Sequence, residues 1–320
     1  RPIGVGPEFK RRAGDDDYRG HRWPPRLPGA NWPPGPSQPA SAWPAANVAI
    51  ARRLADFTPD NASLLVLAEF VQIKGVEQIV ENGALVTRPF DAWTRLMPAG
   101  DMASDIDKQG PNGTGGTVKM ELAELRLLAQ YRAGAMAEAL AQRNGIIGYF
   151  RALMQFNAAT HPYTYYLAAA ALRIGQFLCM HYKGQFNRPR PSRLDPSLMP
   201  PIDPPGHSAY PSGHSLQSFL IALCLEQVVP TQVVSGLTTS PYIMLAERIA
   251  KFREVLGVHY PSDTLAGRRV AALAFPLLLQ CGLIKGSGGG TFTMTFDNQT
   301  FTMSNDGWLK LAQKEWEPRT

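Results

Sequence analysis

The feature that most constrains this chain is a helical period, because apolar residues recur about every 3.6 positions through most of residues 47–284. Alanine and leucine are abundant there, and no run of alternating residues marks a central sheet. The segments with this period are residues 48–57, 62–81, 117–143, 145–157, 162–182, 215–229, 240–256 and 261–281. Residues 97–116, with their Asp, Gly and Asn, predict a long loop. We therefore predict an all-α helical bundle as the main domain, residues 47–284.

Both ends of the chain differ from this helical part. Residues 1–46 carry repeated Trp-Pro pairs without a helical or strand period, which predicts an extended arm whose tryptophans pack on the body or on a second subunit. The Gly-rich residues 285–290 predict a flexible joint. Residues 291–303 alternate on either side of a central Asp-Asn pair and predict a small β-hairpin within the tail, residues 285–320.

Composition excludes several classes of protein. With 320 residues, 44% of them hydrophobic, the chain can bury a substantial core and is not disordered as a whole. The net charge of +6 favours anionic ligands, but the basic residues are scattered and form no run that would bind nucleic acid. No stretch reaches the ~18 to 20 apolar residues that span a bilayer. We therefore expect a soluble protein without a membrane span, in the cytoplasm, the periplasm or outside the cell.

The cysteines and the small residues bear on redox chemistry and assembly. Cys179, Cys224 and Cys281 are far apart, and each lies in an apolar helical segment. Because there is no Cys-x-x-Cys pair, we expect buried reduced thiols rather than a metal or redox site. The Ala-rich helices and the Trp-Pro arm are compatible with a homodimer, since small residues permit close helix approach and an arm can embrace a partner.

Three polar clusters stand where the predicted helices begin or end, at residues 183–191, 210–215 and 253–263. Arginine and lysine suit a tetrahedral dianion, and a Ser-Gly pair at a helix N-terminus adds a hydroxyl group and backbone N–H groups. Two histidines then remain, as a candidate nucleophile or ligand and a candidate acid/base. The candidate site residues are Lys183, Arg190, Ser212, Gly213, His214, Arg253, His259 and Asp263. The clusters predict one pocket for phosphate or vanadate.

In order and spacing, the patterns K-x6-R-P, P-S-G-H and R-x5-H-x3-D in these clusters resemble the three motifs of the type 2 phosphatidic acid phosphatase and vanadium haloperoxidase superfamily. The resemblance covers residues 183–263 with their flanking helices and leaves both chain ends unmatched. It implies a helical bundle with the site at one end of its core. Phe252 departs from the family, which often has Ser at this supporting position before the arginine of the third motif.

The resemblance also implies roles for the residues. The equatorial oxygens of the anion would be held by Lys183, Arg190, Arg253, Ser212 and the amide of Gly213. His259 would be the phosphorylated nucleophile of a phosphatase or, in a haloperoxidase, the nitrogen bonded to the vanadium of vanadate. His214 would be the acid/base, and Asp263 would hydrogen-bond His259 and fix its tautomer.

The motifs serve either chemistry, because vanadate mimics the transition state of phosphoryl transfer. His207 matches the place of a second histidine near the cofactor in vanadium bromoperoxidases, and it adds a possible contact to the oxyanion. Met180 departs from haloperoxidases, which often have Trp or Arg three residues before the lysine.

From His207 we predict a vanadate-dependent haloperoxidase that oxidises bromide or iodide with hydrogen peroxide, which Lys183 and the metal centre polarise. The alternative is an acid phosphatase that hydrolyses phosphomonoesters through a phosphohistidine at His259, with no cofactor. A third hypothesis is a phosphate or vanadate binder without catalysis, although such a binder has no use for a nucleophile oriented by a carboxylate.

Overall fold

Proline and capping side chains mark where the principal helices begin. The computed structural model describes residues 57–97, 116–229, 240–296 and 299–317. The predicted arm at residues 1–46, residues 48–56 of the first predicted helix and residues 98–115 of the predicted loop lie outside the described residues. Proline occupies the first turn of several helices, where its missing N–H would have no partner within the helix.

The helices account for most of the described chain. In chain order they are α1 (Pro59–Phe70), α2 (Gly116–Leu128), α3 (Arg132–Ala141), α4 (Ile146–Arg151), α5 (Pro162–Phe186), α6 (Pro191–Leu194), α7 (Gly213–Val228), α8 (Pro241–Val255), α9 (Pro261–Leu278), α10 (Gly282–Lys285) and α11 (Trp308–Lys314). The prediction of a mostly helical protein is therefore confirmed. One predicted helix, residues 117–143, is instead two helices, since a 3-10 turn at Ala129–Tyr131 separates α2 from α3.

Helix α7 lies at the centre of the bundle and packs against α5, α8 and α9. Two glycines allow this close packing. A Cβ atom at Gly175 of α5 would lie 2.9 Å from the Cγ of Gln217, and one at Gly267 of α9 would lie 2.6 Å from the carbonyl oxygen of Ser212. Because the neighbours of both glycines belong to α7 or its N-cap, the first residues of α7 are held directly against α9.

The structure corrects the predicted helix at residues 62–81. Helix α1 ends at Phe70, and strands β1 (Lys74–Glu81) and β2 (Ala84–Asp91) form an antiparallel hairpin. Its turn is Asn82-Gly83, with φ of 53° and 79°. Asn-Gly is the preferred pair for a two-residue hairpin turn because both positions require positive φ. The expectation of an all-α fold with one hairpin was therefore wrong in this segment.

The predicted C-terminal hairpin is confirmed. Strands β3 (Gly286–Phe296) and β4 (Gln299–Asp306) are antiparallel. Residues 286–290, predicted as part of a flexible joint, belong instead to β3, where the pairing with β4 is irregular between Gly286 and Thr291. Helix α11 follows and was not predicted. Just beyond it, the Glu315 carboxylate accepts hydrogen bonds from the backbone N–H of Tyr163 (2.8 Å) and of Thr164 (2.9 Å), which caps the start of α5.

The cysteines are as expected. All three are free and buried, so the prediction of reduced core thiols is confirmed. In the part of the chain that the structure describes, no helix has the length and hydropathy needed to cross a membrane.

Candidate active site

Lys183 lies in the last turn of α5 and is almost completely buried. Its Nζ donates to the backbone carbonyls of Ser208 (2.7 Å) and Ala209 (2.9 Å). An ammonium group has three donors, so one N–H remains for another acceptor. Burial lowers the pKa of Lys183 to about 8. A nearby anion would restore the stability of the charged form.

Arg190 follows α5 and is buried among hydrogen-bond partners from two different segments. Its Nε donates to the carbonyl of His207 (3.1 Å), and its Nη1 donates to the carbonyl of Val258 (2.7 Å). The same Nη1 lies 3.0 Å from the Nε2 of His259. Arg190 thus ties the loop after α5 to the segment that carries His259.

His259 is buried between an acceptor and a donor. Its Nδ1 lies 3.0 Å from Oδ2 of Asp263, and its Nε2 faces the guanidinium of Arg190. Because the carboxylate only accepts and the guanidinium only donates, these partners assign the proton to Nδ1 and the lone pair to Nε2. Burial, with the charges of Arg190 and Lys183, holds the pKa of His259 well below its usual value against the opposing effect of Asp263. Its Nε2 is therefore an unprotonated nitrogen near two cations.

Asp263 is held in its ionised form at the start of α9. Its Oδ2 also accepts from the backbone N–H of Tyr260 (3.0 Å), as an N-terminal capping interaction. Burial alone would raise the pKa of this carboxyl group, but the charge of Arg188 and the hydrogen bond from His259 lower it to about 2. The expected contact between Asp263 and His259 is present.

Ser212 and Gly213 begin α7 beside these residues. The Oγ of Ser212 accepts from the N–H of Ser215 at 3.5 Å, and the N–H of Ser212 donates to the carbonyl of Asp263 at 2.9 Å. A Cβ atom at Gly213 would lie 3.0 Å from the Sγ of Cys179. The first N–H groups of a helix have no acceptor within the helix, so this terminus is suited to an anion.

The cluster has two halves. One surrounds His259 with Arg190 and Asp263, and the other is formed by His214 and Arg253. Arg253 donates from Nη2 to the carbonyl of Ala139 (2.6 Å), while its buried Nε has no hydrogen-bond partner among the described residues. The Nε2 of His214 is also buried and has no partner in the same ranges. Burial and the charge of Arg253 lower the pKa of His214 to about 3, although the backbone of Gln142 opposes this shift. The site therefore contains two buried polar atoms that an oxyanion could satisfy.

Lys183 connects the two halves electrostatically. Burial lowers the pKa of both His214 and His259, and the charge of Lys183 adds to the lowering at each ring. Burial, with Arg143, also lowers the pKa of Arg253, to about 10. Buried cations with depressed pKa values are stabilised by a dianion among them. The motif residues thus come together around His259 and Lys183, with Arg253 on the side of His214.

His207 lies at the exposed edge of this cluster. Its Nδ1 is 3.1 Å from Nη2 of Arg190 and 3.2 Å from the carbonyl of Ser208. The residue on which the haloperoxidase prediction depends therefore contacts Arg190, a predicted anion-binding residue, from the solvent side. In the third cluster, Phe252 packs with Ala139 and Leu256 in a small apolar group.

Sequence reasoning missed Arg188 and Glu121. Arg188 Nη1 donates to Oδ1 of Asp263 (2.7 Å), and its Nη2 donates to Oε2 of Glu121 (2.9 Å). All three side chains are buried. Arg188 stands in the first cluster as the first arginine of Arg-Pro-Arg-Pro, a signal that could have drawn attention to it. Glu121 lies in α2 and has no comparable signal.

Comparisons with known proteins agree with the motifs. A family described as "PAP2 superfamily" matches residues 162–285. Residues 162–285 are a PAP2 superfamily domain. This domain contains all the predicted site residues, whereas Glu121 precedes it. Comparison with curated proteins gave no match.

A solved structure is also similar to the chain. It is described as "Crystal structure of the first transmembrane PAP2 type phosphatidylglycerolphosphate phosphatase from Bacillus subtilis". The two are 17% identical over 69% of this chain and 94% of that chain, with a TM-score of 0.28. At this TM-score the two structures differ too much for the match to support an argument about the site.

Proposed function

We propose that the PAP2 domain of this protein is a phosphomonoesterase that works through a phosphohistidine at His259. The observation that carries the proposal is the pair of partners on the His259 ring. Asp263 holds the proton on Nδ1, and Nε2 has its lone pair directed at the cationic side of the cluster. This unprotonated imidazole nitrogen lies in contact with an arginine that would bind the phosphate group. It is therefore suited to attack phosphorus.

In the proposed first step, the phosphate group of the substrate binds among Lys183, Arg190 and Arg253. The Nη1 donor of Arg190 moves from the lone pair of His259 to a phosphoryl oxygen. Nε2 of His259 then attacks phosphorus, a new N–P bond forms, and the ester P–O bond breaks. The buried cations stabilise the negative charge that spreads over the phosphoryl oxygens in the transition state.

His214 serves both steps as acid and then base. It has a depressed pKa without ligand, and the charge of a bound phosphate dianion favours its protonated form. The protonated ring donates to the leaving alkoxide, which departs as an alcohol. A water molecule then gives a proton to His214 and attacks phosphorus, the N–P bond breaks, and inorganic phosphate is released.

The phosphatase has better support than the haloperoxidase predicted from the sequence. The family match bears the name of a phosphatase superfamily, whereas the haloperoxidase prediction depended on His207, whose ring contacts Arg190 from the exposed edge. The same donors also fit vanadate, which is a tetrahedral oxyanion like phosphate. Vanadium bound at His259 would supply Lewis-acid activation of hydrogen peroxide.

Paired assays on one preparation test the proposal. We expect the metal-free protein to hydrolyse p-nitrophenyl phosphate and to brominate a phenolic dye negligibly when orthovanadate, peroxide and bromide are added. Orthovanadate should inhibit the hydrolysis, since it mimics the transition state. Vanadate-dependent bromination with negligible hydrolysis would overturn the proposal in favour of the haloperoxidase. Replacement of His207 by Ala should leave hydrolysis largely intact.

A further inference from the structure

A buried chain of charged groups stands behind the proposed nucleophile. It runs from Glu121 in α2 through Arg188 and Asp263 to His259. We propose that Arg188, held by Glu121, is a positioning residue that sets the orientation and tautomer of the His259 ring through Asp263. This inference rests on the proposed role of His259 as the nucleophile.

The two oxygens of the Asp263 carboxylate have separate tasks. Oδ2 accepts from Nδ1 of His259 and from the N–H of Tyr260. Oδ1 accepts from Nη1 of Arg188. With both oxygens engaged, the carboxylate cannot rotate without losing a charge-assisted hydrogen bond. Arg188 therefore fixes the plane of the group that orients the His259 ring.

Arg188 is itself held on several sides. Its Nη1 also donates to Oγ of Ser262 (2.7 Å), and its guanidinium carbon lies 3.8 Å from the centre of the Tyr260 ring. Its Nη2 donates to Glu121, whose second oxygen accepts from the N–H of Ser262 (2.7 Å). Glu121 thus holds both the arginine and the start of α9. A planar fork is needed here, because a lysine ammonium could not reach these acceptors in the same geometry.

Loss of Arg188 would leave two buried carboxylates without their shared cation. A buried carboxylate that loses its paired cation becomes protonated more readily. A protonated Asp263 could donate to Nδ1 of His259, and the imidazole proton would then occupy Nε2. A histidine in that tautomer has no lone pair for phosphorus, so the nucleophile would be lost although the ring is still present.

Three variants test this role. Arg188→Lys keeps the charge and removes the fork. The double variant Arg188→Gln/Glu121→Gln removes one positive and one negative charge together, so the buried region stays balanced if the single variant fails to fold. Glu121→Gln alone is the mildest change. Glu124→Gln is the matched control, because Glu124 lies in the same helix and pairs with the half-exposed Lys251, away from the buried chain of charges.

We expect kcat for p-nitrophenyl phosphate to fall at least about tenfold in Arg188→Lys and in the double variant. The inhibition constant for inorganic phosphate should stay within about twofold of the wild-type value, since the anion-binding donors are untouched. Nitrogen-15 NMR of the His259 ring should show the proton on Nδ1 in the wild type and loss of that tautomer in the double variant, where Asp263 has lost its cation. Glu121→Gln should have a smaller effect, and Glu124→Gln should have none.

Several outcomes would overturn the positioning role. One is a folded Arg188→Lys or double variant with wild-type kcat and a wild-type ring spectrum. Another is a parallel loss of kcat and phosphate binding, which would indicate general disruption of the site. The NMR measurement needs no turnover. If the wild type hydrolyses no phosphomonoester but its ring tautomer still depends on Arg188, the proposed function fails and the positioning role stands.

Discussion

The two histidines of the site are held in opposite ways, although each lies beside the start of a helix. His259 has a partner on each ring nitrogen, Asp263 on one side and Arg190 on the other. His214 has a buried Nε2 without a hydrogen-bond partner in the described residues, and burial, together with the charge of Arg253, lowers its pKa. The protein therefore sets the protonation of the first ring, while the second ring is left for the ligand to control.

This difference matches what each step requires. A nucleophile must be unprotonated and correctly oriented before the substrate arrives, and an acid must carry a proton when the leaving group departs. Burial lowers the pKa of both rings, but only His259 has a carboxylate that fixes its proton on one nitrogen. We therefore expect substitutions at the two histidines to fail at different steps.

The largest effect should follow from His259→Ala. Without the attacking nitrogen, kcat/KM for phosphomonoesters should fall at least about 1,000-fold, because no phosphoenzyme can form. Inorganic phosphate should still bind, since Lys183, Arg190 and Arg253 remain. Steady-state hydrolysis measures the loss of activity. Acid-quench trapping of labelled phosphohistidine shows whether the phosphoenzyme forms. Retention of activity within about tenfold of the wild type would exclude His259 as the nucleophile.

His214→Ala should have a smaller effect that depends on the leaving group. For alkyl phosphates, which need a proton on the leaving oxygen, we expect kcat to fall about 100- to 10,000-fold. For p-nitrophenyl phosphate the first step should be less affected, and slow hydrolysis of the intermediate should produce a burst of nitrophenol. Rapid-quench experiments would detect this burst and the trapped phosphohistidine. Equal losses for alkyl and aryl esters, with no burst, would contradict the assignment.

The sequence motifs named candidate residues in both halves of the site, but they did not reveal how each histidine ring is held. The Asp263 contact to His259 spans four positions and could be predicted. The Arg188 contact to Glu121 spans 67 positions and joins a helix outside the PAP2 domain to a loop inside it. A single acidic residue on a helix predicts only solvent exposure, because pairing at that distance depends on the packing of the whole bundle.

The fold shows the same limit. Periodicity predicted the long helices around α7. Each of these helices buries one face, and this burial determines the spacing of its apolar residues. Periodicity failed for the hairpin of β1 and β2, where Val76 and Val80 are exposed and lie at a spacing that also suits a helix. The turn residues Asn82 and Gly83 carried the missing information, because local backbone chemistry decided the structure there.

The pH dependence of phosphate binding should also distinguish the two halves of the site. The pKa of His214 is lowered to about 3 and that of Lys183 to about 8. A bound phosphate dianion raises both values. Between about pH 3 and the raised value of His214, binding must therefore take up a proton. Above about pH 8 free Lys183 loses its proton, so phosphate affinity should fall there, about tenfold by pH 9.

Calorimetry of phosphate binding across pH, in buffers of different ionisation enthalpy, measures both effects. His214→Ala should remove the proton uptake at acid pH and keep the alkaline decline. Lys183→Met should weaken binding throughout and remove the decline. If the two variants changed the same part of the pH profile, the division of the site into two electrostatic halves would be wrong.

The smallest expected effect concerns the point where the two halves meet. Gly267 of α9 faces Ser212, Ser215 and Leu216 at the start of α7, and a Cβ atom there would approach these neighbours to within 2.6 to 2.9 Å. Gly267→Ala must push apart the helices that begin beside His259 and His214. We expect a loss of about 1 to 3 kcal/mol in the free energy of unfolding, from urea denaturation.

Gly134→Ala is the matched control, since Gly134 lies within α3 and a Cβ atom at this position would have no neighbour within 4 Å. There the added methyl group should stabilise the helix by about 0.5 to 1 kcal/mol. If the same substitution lowers the free energy of unfolding at position 267 and raises it at position 134, then close helix contact, not backbone freedom, explains why residue 267 is glycine. If Gly267→Ala were neutral, the start of α7 could shift freely against α9, and the separation between the two histidines would not depend on this contact.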